Sequence, residues 1–235
     1  MIRVASTIVA SVFLLLALLV ASPARAAEKG IAKIDESIAV LEQLAAIPEK
    51  GIPPALLSNA GGIAIIPGVI KAGFIVGGRY GTGILLLHDK DGAWSNPVFI
   101  TLAGGSIGWQ LGVESIDIIL VFKSNRSVEG VLKGKFTLGA DASVAAGPVG
   151  RQASASTDVQ LKSEIYSYSR SRGLFAGLAL EGASMQIDDD ADAAFYGKKD
   201  ILPREITKDR ELTTAPEVDK LKKLLKEYSS HKTED

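Results

Sequence analysis

Ile107-Gly108-Trp109-Gln110-Leu111-Gly112-Val113 alternates large apolar residues with small or polar ones. That period of two is the signature of a β-strand, with one face offered to a core. The glycines on the other face allow a second backbone to come close. The same texture spreads outward in both directions. Upstream lie short apolar runs punctuated by glycine, at Ile63–Ile66, Phe74–Val76, Ile84–Leu87 and Val98–Leu102. Asp89-Lys90-Asp91-Gly92 supplies a hairpin-like turn between the last two. Downstream, Ile116–Phe122 is apolar on both faces, and Phe136, Leu138, Ala140, Ala142 and Val144 alternate with Thr137, Gly139, Asp141 and Ser143. Val159–Tyr168 and Leu174–Met185 complete a set of about eight strands. Turns at short intervals imply mostly antiparallel pairing, because parallel neighbours need long crossovers.

Helical patterns bracket this region. Ile31, Ile34, Ile38, Leu41 and Leu44 recur at helical spacing and predict a helix over 28–46, ended by Pro48. Pro53 and Pro54 open a short second helix that Asn59-Ala60-Gly61-Gly62 closes in a left-handed conformation. Asp188 to Asp192 begins a helix through Phe195 and Tyr196, stopped by Gly197. Thr214-Ala215-Pro216-Glu217 has the form of a capping box ahead of one apolar stripe, Val218, Leu221, Leu224, Leu225 and Tyr228. The fold class is therefore α+β. A curved, mostly antiparallel sheet or partly closed barrel carries N-terminal and C-terminal helices packed on it.

The first residues read as a secretory leader. Arg3 gives the positive start, the apolar run Ile8–Ala21 is short for a membrane span, and Ala24-Arg25-Ala26 offers a small-x-small cleavage site. The expected division is a signal peptide over 1–26 and a single domain over 27–235, with its core at 31–197 and a helical extension at 198–235. This predicts an exported protein, periplasmic or secreted, and peripheral on any membrane it meets. The chain has no cysteine, so it uses neither disulfides nor a lipidated cysteine. There are 27 acidic and 26 basic residues, and loss of Arg3 and Arg25 moves the balance further toward acid. Such a balance excludes bulk nucleic-acid binding, which needs a strong positive field.

No catalytic machinery is legible, and no enzyme, cofactor or metal is expected. The histidines are His88 and His231, too few for an ordinary zinc site, and no Gly-x-Ser-x-Gly elbow accompanies His88. Asp188, Asp190 and Asp192 have the 1-3-5 spacing of a calcium loop. Ala193 stands where that loop needs glycine and Lys199 where it needs glutamate. Basic residues gather at Lys123, Arg126, Lys133 and Lys135, around an expected hairpin turn, and at Arg151, Arg170 and Arg172 near strand ends. Clusters of this kind hold anionic headgroups or simply face solvent. The C-terminal helix carries Lys220, Lys222, Lys223 and Lys226. Its narrow apolar stripe favours docking on the domain over lying on a membrane.

Several blocks in order resemble the SYLF domain, the lipid-binding domain of yeast actin-bundling proteins and their bacterial relatives. They are Asn59–Ile66, Lys71–Gly83, Trp94–Pro97, Gly147–Arg151, Tyr166–Gly177 with Leu180–Gly182, and Phe195–Gly197. The resemblance implies a non-enzymatic, phosphatidylinositol- or phospholipid-binding module. In eukaryotic members the ligands are phosphoinositides and some members bind actin; an exported chain would meet neither in its own compartment. Lys71, Arg79 and Arg151 are the nearest matches to basic positions of the family, with the Lys123–Lys135 segment as a second group. The family attaches to membranes through its N-terminal helical region, which here is net acidic. The expected partner is thus an anionic phospholipid or membrane surface. The alternative is a structural protein of the cell envelope, such as a small outer-membrane barrel.

Overall fold

The computed structural model describes residues 23–45, 52–148, 163–171, 174–177, 180–212 and 214–230. The leader up to residue 22 and the whole segment 149–162, Arg151 included, lie outside them. In chain order the elements are α1 (Pro23–Ala45), α2 (Pro54–Ser58), β1 (Gly62–Leu87), β2 (Val98–Phe122) and α3 (Asn125–Val131). They continue with β3 (Phe136–Thr137), β4 (Val144–Ala146), β5 (Ile165–Ser171), β6 (Leu174–Gly177) and β7 (Ser184–Ile187). The chain ends in α4 (Asp189–Tyr196), α5 (Pro203–Lys208) and α6 (Pro216–Ser230). The α+β class is as read, with one seven-stranded sheet. All pairs are antiparallel except β4 with β5.

The strand boundaries differ from the sequence reading. Ile63–Ile66, Phe74–Val76 and Ile84–Leu87 are not separate strands but parts of the single 26-residue β1. It pairs with the 25-residue β2 from Gly62↔Phe122 to Leu85↔Val98. Glycines inside such a ribbon do not end it; they let it bend. β1 turns back so that its start lies against its own end, where His88 N–H donates to the Gly61 carbonyl at 2.9 Å. A Cβ on Gly83 would stand 2.2 Å from the Ile65 carbonyl oxygen, so only glycine permits this approach. The bend starts at a bulge between Ile66 and Val69, at Pro67-Gly68. Pro67 cannot donate to a ladder, and Gly68 has φ +61, in the left-handed region. The Gly68 N–H instead donates to Asp117 Oδ1 at 2.9 Å, and Asp117 also holds Arg170 of β5 through its Nε and Nη2. Arg170, one of the strand-end arginines, is thus a structural brace. The alternation of 107–113 is also interrupted, since three residues of β2 lie between the partners of Gly73 and Ile75.

Two further readings are corrected. The alternating Phe136–Val144 is not one strand. Asp141 Oδ2 accepts the Thr137 N–H at 2.6 Å and closes a turn between β3 and β4. Leu174–Met185 is two strands, β6 and β7, separated by the turn at Glu181-Gly182. Asn59 closes α2 at φ −98, outside the left-handed region expected of it. Helix α6 starts at Pro216, one residue later than a cap at Thr214 requires.

The sheet buries both faces. Ile63, Ile65, Ile84, Leu86, Ile119 and Val121 point into a cluster with Ile34, Ile38, Leu41 and Leu44 of α1 and Val218, Leu221 and Leu225 of α6. Their alternates, Ala64, Ile66, Leu85, Ile118, Leu120 and Phe122, form the second cluster inside the curl, with Val128 and Val131 of α3 and Ile206 of α5. Period two thus sorts each strand between two cores. Helix α6 docks on α1: Lys220 pairs with Glu42 at 3.1 Å, and Tyr228 Oη donates to the Leu44 carbonyl at 3.4 Å.

Candidate functional site

The middle of the β1–β2 ribbon, between Val69 and Gly81 on one strand and Ala103 and Ile116 on the other, departs from the packing rule of the rest. Ile70, Tyr80 and Val113 are large apolar side chains left 46, 57 and 74 % exposed. Ile70 and Ala72 share a face, and Val113 stands opposite Ala72, so Ile70 and Val113 are diagonal neighbours across the pair. Lys71, opposite Glu114, points to the other face. Arg79 is half-buried beside Tyr80, and burial lowers its proton affinity from the ordinary arginine value. Small residues fill the surroundings, with Ala72, Gly73, Gly78, Ala103 and Gly105 all exposed. The result is a ribbon with exposed apolar groups on one face and Lys71, Glu114 and the half-buried Arg79 on the alternating face.

The predicted basic residues do not form one patch. Lys71 and Arg79 sit on this ribbon. Lys123 follows β2 at its far end, its ammonium 5.6 Å from the centre of the Tyr166 ring. Arg126, Lys133 and Lys135 are exposed on and after α3, a short helix where a hairpin turn was expected. Ser124 caps that helix, its Oγ accepting the Ser127 N–H at 3.4 Å. Arg151 lies outside the described residues. The structure therefore joins Lys71 and Arg79 along one ribbon and leaves the Lys123–Lys135 group at the α3 end.

The other candidates have structural partners. His88 stacks on Trp94 with ring centres 4.3 Å apart, and its Nδ1 donates to the Ala60 carbonyl at 3.0 Å. Asp188 caps α4 by accepting the Ala191 N–H at 3.1 Å. Asp192 is fully buried and accepts the Phe99 N–H at 2.8 Å, while its Oδ2 has no partner. Burial drives its pKa up from 3.8 to about 8, helped by Asp189 and Asp188 and opposed by the Phe99 hydrogen bond. This acidic run is a helix cap and a strand anchor, and no group of three or more potential metal ligands occurs among the described residues.

Sequence reasoning missed Ile70, Tyr80 and Val113, because strand periodicity assigned every large apolar residue to a core. Their signal was the density of small residues around them, which leaves nothing large enough to cover them. The apolar face of the N-terminal helix is covered by the rest of the domain. Ile34, Ile38, Leu41 and Leu44 are 0–2 % exposed beneath α6 and the sheet. No helix among the described residues is long and apolar enough to cross a membrane.

Comparison with known proteins fits this architecture. Residues 103–228 match the family model described as "Ysc84: Las17-binding protein actin regulator", a span from the ribbon through α6. SH3 domain-containing YSC84-like protein 1 of Xenopus laevis is 39% identical over 160 residues, covering 68% of this chain and 48% of that protein. Protein YSC84 of Saccharomyces cerevisiae is 42% identical over 149 residues, covering 62% of this chain and 32% of that protein. LAS seventeen-binding protein 3 of the same yeast is 40% identical over 149 residues, again 62% of this chain and 32% of that protein. The chain thus spans half or less of the length of these curated relatives. From the ordered sequence blocks and the match across more than half its length, the chain belongs to the Ysc84, or SYLF, domain family.

Proposed function

We propose that this chain is an exported, non-enzymatic module that binds anionic phospholipid surfaces through the middle of the β1–β2 ribbon. One observation carries the reading: exposed Ile70, Tyr80 and Val113 share that ribbon with Lys71 and Arg79. A ribbon with apolar side chains on one face and cations on the other suits an interface whose outer layer is anionic and whose inner layer is hydrocarbon. Fully burying one such side chain is worth about 1.5–3 kcal/mol. With roughly half to three quarters of each still exposed, the three together offer about 3 kcal/mol on that scale. Each cation near an anionic leaflet adds about 1 kcal/mol. The total is a weak, reversible affinity that salt reduces, because the cations act within about 8 Å at physiological ionic strength.

Flotation with liposomes tests this. Wild type should float with anionic vesicles and less with neutral ones, and added salt should release it. Replacing Lys71 and Tyr80 by Ser should cut flotation about tenfold or more while leaving the circular-dichroism spectrum unchanged. Equal flotation of the double variant, or no preference for anionic lipid, would sink the proposal. Replacing Lys133 and Lys135 should change little. A large loss there would move the site to the α3 end.

A further inference from the structure

A second site stands where the C-terminal segment closes on the hairpin loop between β1 and β2. A cavity of about 300 Å³ lies between the loop residues 87–96, α3, α5 with the residues after it, and Lys222 of α6. That is the lower end of the range for small-ligand pockets. The stacked His88 and Trp94 form part of its wall, and Trp94 is almost fully buried.

The charges around this cavity are unevenly matched. Lys222 is half-buried, and its Nζ donates to the neutral Asn96 Oδ1 at 2.5 Å. The amide of Asn96 is committed on its other side too, donating to the Asp209 carbonyl at 2.9 Å. Arg210 shares the wall and pairs with Asp89 at 2.7 Å. Arg204 and Lys208 also line it, and neither side chain forms an ion pair among the described residues. Burial lowers the proton affinity of Lys222; Asp219 opposes this and the nearby positive charge of Arg210 adds to it. The acids on the wall are Asp89, Glu129 and Asp209. Asp89 is spent on Arg210, and Asp209 Oδ1 accepts the Glu211 N–H at 2.9 Å. Four cations, Lys222, Arg204, Lys208 and Arg210, therefore line the cavity against three carboxylates, and the Lys222 ammonium meets a neutral acceptor. A half-buried ammonium favours an anion or several acceptors, and here the hydrogen bond runs to one neutral acceptor.

We propose that this cavity binds the phosphate or carboxylate group of a small anion, held by Lys222, Arg204 and Lys208 against the Trp94 wall. The site is independent of the ribbon middle, since it uses different residues. Phosphate chemistry has two sources here, a free small molecule or a lipid headgroup reaching in from a membrane.

Trp94 makes the site directly readable. The sequence has two tryptophans, so Trp109→Phe leaves Trp94 as the single reporter. Titration with inorganic phosphate at constant ionic strength, against chloride, should give a saturable change in Trp94 emission. Arg204→Gln should weaken it about tenfold, the size of one charge-assisted contact. Lys222→Met should weaken it more. Lys222 also ties α6 to Asn96, so that variant counts only if its melting profile stays cooperative; Arg204→Gln decides otherwise. Vesicles of phosphatidylcholine with phosphatidylglycerol form the second arm. A response to phosphate alone assigns the site to a free anion, and a response to vesicles that Arg204→Gln abolishes assigns it to a headgroup. No saturable response in either arm, or the same affinity in Arg204→Gln as in the parent, overturns the proposal. Flotation through the ribbon stays intact in Arg204→Gln, so failure of one site is distinguishable from failure of the other.

Discussion

Asp192→Asn should make the protein more stable at alkaline pH at the expense of some stability in acid. Asp192 is fully buried on α4, with Oδ1 accepting the Phe99 N–H and Oδ2 unpartnered. Its folded-state pKa is raised to about 8 from an ordinary 3.8. Between those values the folded protein holds a proton that the unfolded chain releases, so stability falls as pH rises. The contribution is fully present below about 3.8, and it is lost as pH climbs through about 8. One pKa unit corresponds to about 1.4 kcal/mol, so from pH 5 to pH 8 the wild type should lose about 4 kcal/mol through this one group. Asparagine keeps the acceptor for Phe99 and cannot ionise, so that slope should vanish. Its amide nitrogen replaces one unpartnered buried atom by another, which limits the cost in acid to about 1–3 kcal/mol. The assay is urea denaturation of both proteins at half-unit steps from pH 5 to pH 9. Titrating groups distant from Asp192 contribute equally to both, so the difference isolates Asp192 and its coupling to Asp188, Asp189 and Tyr196. Curves that stay parallel across that range would refute the reasoning and mean that the carboxylate is ionised or hydrated where it sits.

Three further outcomes follow from the geometry. Asp117→Ala removes the acceptor for Gly68 and the partner of Arg170 together, and should cost about 3–5 kcal/mol in chemical denaturation; a loss under 1 kcal/mol would show that the bulge holds without its brace. Gly83→Ala places a methyl 2.2 Å from the Ile65 carbonyl and should abolish soluble expression or lower the melting temperature by tens of degrees, whereas exposed Gly92→Ala, with open space around it at φ +76, should cost about 1 kcal/mol. If the leader reading is right, protein recovered from the exported fraction should begin at Ala27, and N-terminal sequencing that finds Met1 would end it.

Much of the architecture was legible because it is local. Helical spacing from Ile34 to Leu44 placed α1, the Asp188 cap and Gly197 bounded α4, and double-sided apolar runs marked strands that are buried on both faces. What was not legible is what depends on distant partners. Nothing near Ile66 announces that it will lie against Gly81 and Gly83, so glycines that permit a bend were read as punctuation between strands. Asp117 drew no reading within an apolar run; its role needs Gly68 and Arg170, far away in sequence. Lys222 was one lysine among four on a polar helix face, and only the docking of α6 sets it in a cavity wall. Lys71 and Arg79 were grouped by family resemblance and Lys123–Lys135 by proximity in sequence, and the ribbon register sets Lys71 of β1 opposite Glu114, within β2, while Lys123 follows the end of that strand.

The self-contact of β1 has a bearing on cooperativity. One continuous strand supplies both layers of the bend, and β2 pairs with it throughout. Neither end of the ribbon can peel away without exposing the carbonyls and apolar faces of the other. The two cores on opposite sides of the sheet are therefore not separable subunits of stability. They share the same strands, alternate residue by alternate residue, so damage to one is transmitted to the other through a common backbone.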